Sequence, residues 1–170
     1  MHGNLEMDKY HLESRIETLK EKKMVGKKIE MSFANNETIE LWRNFVPRLD
    51  EIHNRIGPEL YSLEVYDDRF FSSFDLANKF EKWAAVEVKD FQSVPDGMQT
   101  LVVPGGLYAV FIYKGLQSEG AKAYNFIFQD WLPASNYLLD NRPHFAVMGE
   151  KYKMNDPSSE EEIWIPVLSK

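Results

Sequence analysis

The sequence predicts an α+β domain: a duplicated strand-helix-strand-strand unit that forms an antiparallel sheet, with two helices on one face and a pseudo-twofold cleft between them. Three observations carry this. Several segments alternate apolar and polar residues, the period of a half-buried strand. Two segments repeat apolar residues at intervals of three and four, the period of a helix with one buried face. The order of these segments is the same in the two halves of the chain.

In the first half, Val25, Lys27, Ile29, Met31 and Phe33 alternate with Gly26, Lys28, Glu30 and Ser32, so Met24–Phe33 reads as a strand. Asn35, Asn36 and Thr38 are capping types, and Ile39, Trp42, Phe45, Val46, Leu49, Ile52 and Ile56 then mark a helix that Gly57 ends, with a kink at Pro47. Leu60–Tyr66 is a strand closed by Asp67-Asp68, and Lys82–Val88 follows a phenylalanine-rich connection. The second half opens with strands Met98–Val103 and Leu107–Tyr113 around Pro104-Gly105-Gly106. Ala123, Phe126, Ile127 and Trp131 form a second helical face ended near Pro133, and strands Phe145–Glu150 and Glu162–Val167 complete the unit. Ahead of this, residues 1–15 read as a mobile polar lead and Arg15–Lys23 as a short helix or irregular arm, leaving 16–170 as one domain.

Composition narrows the function. A net charge of -7 opposes binding to nucleic-acid phosphate, which needs clustered Lys and Arg. The absence of Cys removes disulfides, thiolate metal sites and a cysteine nucleophile, and is compatible with a reducing cytoplasm. No window approaches the roughly twenty apolar residues that span a bilayer. His2, His11, His53 and His144 lack metal-ligand spacing, and no phosphate-cradling or nucleophile-elbow motif occurs, so neither metal nor cofactor is expected.

The closing segment is the richest in chemistry. On a strand, Glu162, Trp164 and Pro166 share one face, and Ile163, Ile165 and Val167 the other. A carboxylate beside an indole on an inward face would be desolvated, and a bound cation would offset that cost. Trp42 and Trp131 on the two helical faces, Trp83 on a strand and Tyr66 at the end of another supply rings for an aromatic-lined cleft. Taken singly, each of these rings is better suited to plain core packing.

The segments GKKIEMSFANNETIELWRNFVPR, LYSLEVYDD, FEKWAAVEV, VPDGMQTLVVPGGLYAVFIYKG, FQDWLPASNYLLDNRPHFAVMGEKY and EEEIWIPV, in that order, resemble a GyrI-like effector-binding domain, the small-molecule module of bacterial multidrug-responsive transcription activators. The resemblance covers about Ile16 to Val167. It implies a pocket between two helices with a carboxylate from the last strand. Glu162 matches the position before IWIPV, and Glu160, on the same strand face, is the alternative. The region before Met24 is too short for the helix-turn-helix domain of regulatory relatives, so a stand-alone form without direct nucleic-acid binding is expected.

Three functions fit. The first is binding or sequestration of a hydrophobic, cationic small molecule through Glu162, Trp42, Tyr66, Trp83 and Trp131. The second is hydrolysis of a strained lipophilic compound, with Glu162 as general base and Tyr108 as hydrogen-bond donor. The third is a protein-interaction adaptor of the gyrase-protecting type.

Overall fold

The computed structural model describes residues 10–170. Among the described residues, nine strands, all paired antiparallel, make one open sheet. They are β1 (Glu13–Leu19), β2 (Lys22–Met31), β3 (Leu60–Val65), β4 (Phe80–Val88), β5 (Gln99–Val103), β6 (Gly106–Lys114), β7 (Tyr137–Leu139), β8 (His144–Met148) and β9 (Glu160–Ser169). Their order is β1-β6-β9-β8-β3-β4-β2-β5, with β7 added on β9. The strands expected from alternation fall in place, shifted by at most a couple of residues.

Two strands went unforeseen. Residues 1–9 of the polar lead lie outside the described residues, but Leu12 is buried and β1 occupies the stretch expected as a helix or arm. Its largely exposed side chains hid the alternation, and pairing with β6 orders it. β7 is too short for any period to show.

The two helical segments cross the same face of the sheet. Helix α1 (Thr38–Phe45) gives way at Val46 to a 3-10 segment, Val46–Glu51, because Pro47 has no N–H to continue the α-helical ladder. Leu41 and Phe45 of α1 pack on Val25, Ala84, Val86 and Val88. The second helix is composite: α2 (Ala121–Asn125), a π-helical turn Phe126–Trp131, then α3 (Leu132–Ala134). Its Ala123, Phe126 and Ile127 cover Phe111, Ile163, Ile165 and Val167.

The opposite face buries Tyr61, Leu63, Trp83, Tyr108, Phe145 and Trp164 without a helix. What closes it is the sheet itself. β1 and β2 stand near opposite ends of the sheet order yet are joined through Lys20 and Glu21 alone, as β5 and β6 are through Pro104 and Gly105. The sheet must curl until its ends meet, and Leu19, Met24, Val103 and Tyr108 share one cluster there. Gly105 sits where the two turns touch: a Cβ would lie 2.8 Å from the Leu19 carbonyl oxygen.

Candidate functional site

Strand parity decides what faces the helices. Ile163 and Ile165 pack against the second helix, so Glu161, two residues earlier, projects on that side of β9. By the same rule Lys82 shares the helix side of β4 with Ala84, and His144 that of β8 with Ala146. Glu64 of β3 stands directly across from Lys82 on one neighbour and His144 on the other. Over the middle of the sheet, between the two helices, these strands therefore gather polar groups beneath aromatic ones.

The polar set is strongly shielded. Glu64 and Lys82 form an ion pair whose side chains are 9% and 13% exposed. Glu161 is half-buried, and burial pushes its carboxyl up to about 7, with the Lys82 ammonium pulling it down and Glu64 pushing it further up. Burial also raises the Tyr124 hydroxyl well above its ordinary value, helped by Glu64 and Glu161, and likewise Tyr66 beside Glu64. Both phenols stay neutral. Burial lowers His144 to about 3, so its imidazole is neutral too.

Rings from the phenylalanine-rich connection cover this floor. Phe71 stacks on Phe128 of the π-helical turn at 5.2 Å and on His144 at 5.6 Å. Tyr66 meets His144 edge-on at 4.9 Å and packs on Phe70, Phe71 and Phe80. The aromatic closure joins the two halves. A π-helical turn widens a helix locally and is frequent at functional sites, and here it carries Phe128.

The sequence-predicted residues separate on this frame. Tyr66 lies in the gathered set. Glu162 does not: it faces away from the helices, accepting hydrogen bonds from Arg15 Nη2 at 2.9 Å and Trp164 Nε1 at 3.1 Å. Glu160, the alternative, has the same parity, so the carboxylate that projects toward the helices is Glu161 and the expected register is corrected by one residue. Trp83 is buried on the far face with its Nε1 donating to Glu81. Tyr108 is there as well, donating to the Pro143 carbonyl at 2.8 Å beneath the Arg142 guanidinium, so its hydroxyl is committed to structure. Trp42 packs on Phe45 within the α1 cluster, and Trp131 sits between Phe111 and Tyr137 in the other; they do not share a cleft. Sequence reasoning missed Glu64, Lys82, Tyr124, His144 and the Phe71–Phe128 pair. The opposite-charge match of Glu64 and Lys82 on strands destined to be neighbours was the available signal.

The fold agrees with that of known proteins. The GyrI-like small molecule binding domain matches residues 12–168. The chain belongs to that family. Transcriptional regulator BrlR of Pseudomonas aeruginosa is 28% identical over 137 residues, which cover 79% of this chain and 48% of the regulator. This chain thus spans about half the length of that curated relative. The EcmrR C-terminal domain superposes with a TM-score of 0.69 at 20% identity, covering 94% of this chain and 99% of its own. SAV2435, solved bound to tetraphenylphosphonium, gives 0.66 at 16% identity, covering 92% and 94%. Among the described residues no helix is long and apolar enough to cross a membrane, and no group of three His, Asp or Glu is arranged to hold a metal.

Proposed function

We propose that this GyrI-like domain binds hydrophobic organic cations, one at a time, between its two helices, with Glu161 as the charge partner and Tyr66, Phe71, Tyr124 and Phe128 as the apolar enclosure. The observation that carries the reading is the half-buried carboxyl of Glu161, raised to about 7 by its surroundings. A group in that condition ionises at lower cost when a cation arrives, because the cation replaces lost hydration. Ring faces favour the same ligands by about 0.5–2 kcal/mol each. The bound tetraphenylphosphonium of SAV2435 is a ligand of this chemistry, and BrlR suggests a place in transcriptional regulation for a longer protein or a partner.

The test is a titration of tetraphenylphosphonium against neutral triphenylphosphine oxide, followed by tryptophan fluorescence. The cation should bind with a dissociation constant in about the micromolar range and at least about tenfold more tightly than the neutral compound. Equal affinity for the two, or none for either, would remove the reading.

A second reading rests on the same carboxyl. Near neutral pH Glu161 is partly ionised and could take a proton from water as the water oxygen attacks a strained electrophilic carbon, with Tyr124 donating to the leaving atom. Mass spectrometry after long incubation would then find a water adduct in place of unchanged ligand.

A further inference from the structure

The Glu64–Lys82 pair invites a question that Glu161 alone does not. Burying two opposite charges costs several kcal/mol of hydration per ion, and well-packed apolar residues of similar volume often serve stability as well or better. Yet the pair lies on the helix side of adjacent strands, side chains 9% and 13% exposed, and Glu161 projects from β9 on that same side of the sheet. Among the described residues, Lys82 and Glu64 are the charged groups whose fields reach Glu161. His144 and the two tyrosines contribute no charge.

The charge count then has a simple form. Two carboxylates and one ammonium leave a single net negative charge when Glu161 is ionised. A ligand with one positive charge brings the space to neutrality; a second positive charge would meet Lys82 with no carboxylate left unpaired. We infer that Lys82 is a specificity-determining residue that limits the site to ligands carrying one positive charge. Lys82 does this by neutralising Glu64 from within, so that one of the two acids is committed to the protein's own ammonium. The inference rests on the binding reading above and deepens it.

Ethidium and propidium test it, because they share one phenanthridinium ring system and differ by a quaternary ammonium on the side chain of propidium. The native protein should bind ethidium at least about tenfold more tightly than propidium. Lys82→Met leaves two uncompensated carboxylates, and the preference should fall by about tenfold or reverse. The double variant Glu64→Gln with Lys82→Met restores a single negative charge, and its preference should return to the native side. It contains no unpaired buried ion beyond Glu161, so it also provides a folded protein should the single variant unfold, and thermal melts of all three establish which are folded. A merely steric role for Lys82 predicts that the single and double variants discriminate alike. That outcome, or a native protein indifferent to the second charge while still binding ethidium, overturns the inference and leaves the binding reading standing. Failure of the native protein to bind either dye or tetraphenylphosphonium overturns both.

Discussion

The segments Glu81-Lys82-Trp83 of β4 and Glu162-Ile163-Trp164 of β9 look interchangeable from one side of the sheet and unlike from the other. On the side away from the helices, Trp83 Nε1 donates to Glu81 at 3.1 Å and Trp164 Nε1 donates to Glu162 at 3.1 Å. Each carboxylate is also held by a cation that lies over the indole: Lys28, 5.7 Å from the Trp83 ring, and Arg15, 5.9 Å from the Trp164 ring. On the helix side the match ends, with Phe80 and Lys82 on β4 against Glu161 and Ile163 on β9. The repeated device is how this fold satisfies an indole N–H on a buried sheet face. The recognition chemistry proposed above belongs to the side where the strands differ.

The largest expected effect tests the structural half of that statement. Trp83→Ala and Trp164→Ala each empty a buried indole from the same cluster, and each should cost about 3–5 kcal/mol in denaturant unfolding. A loss confined to one of them would show that the two devices are not equivalent.

Next comes the recognition side. Glu161→Gln should weaken tetraphenylphosphonium binding by about 1–3 kcal/mol while a neutral ligand of similar shape loses little, and Glu162→Gln should leave both affinities within about twofold. Charge selectivity that follows Glu162 instead would return the site to the opposite face.

Acid titration sharpens the contrast further. The raised carboxyl of Glu161 gives stability that is complete below the ordinary carboxylate range and lost as pH rises toward about 7. The lowered imidazole of His144 gives the reverse: stability present above the ordinary value of 6.5 and lost as pH falls toward about 3. Between about pH 4.5 and 6.5 the two slopes oppose each other. In Glu161→Gln only the histidine slope remains, so stability measured by urea unfolding should fall with acid by up to about 1.4 kcal/mol per pH unit more steeply than in the native protein. Parallel pH profiles would mean that Glu161 titrates normally.

The smallest effect belongs to Glu162→Gln itself. Its partner Arg15 is 42% exposed, and solvent-exposed ion pairs contribute about 0–1 kcal/mol, so unfolding should shift by less than that and less still in high salt.

Periodicity made the element order and both helical faces readable, because each α or β segment long enough to show a period also buries one side. It failed where burial does not alternate. In β9 the two faces are both covered, one by the second helix and one by the curled sheet, so Trp164 and Ile163 look equally inward and parity could not say which glutamate faces the helices. The tryptophans misled for the same reason: an indole fills core on either face, and Trp42 and Trp131 lie in separate clusters. Tyr66 was legible as the polar-tipped ring ending a strand. Tyr124 and the pairing of Phe71 with Phe128 depend on where a connection folds back over the sheet, which no local pattern encodes.

The paired turns at Lys20-Glu21 and Pro104-Gly105 have a consequence for how the chain assembles. Each half sends its leading strand across to the edge of the other, β1 to β6 and β5 to β2. Neither edge can be capped until β5 and β6 have been synthesised, well after β1 and β2, so closure is a non-local event of the kind that slows folding. Until then β2 and β6 offer bare edges that a second chain could fill with its own leading strands. Intertwined dimers formed by reciprocal strand exchange are therefore the misassembly to look for when this protein is refolded at high concentration.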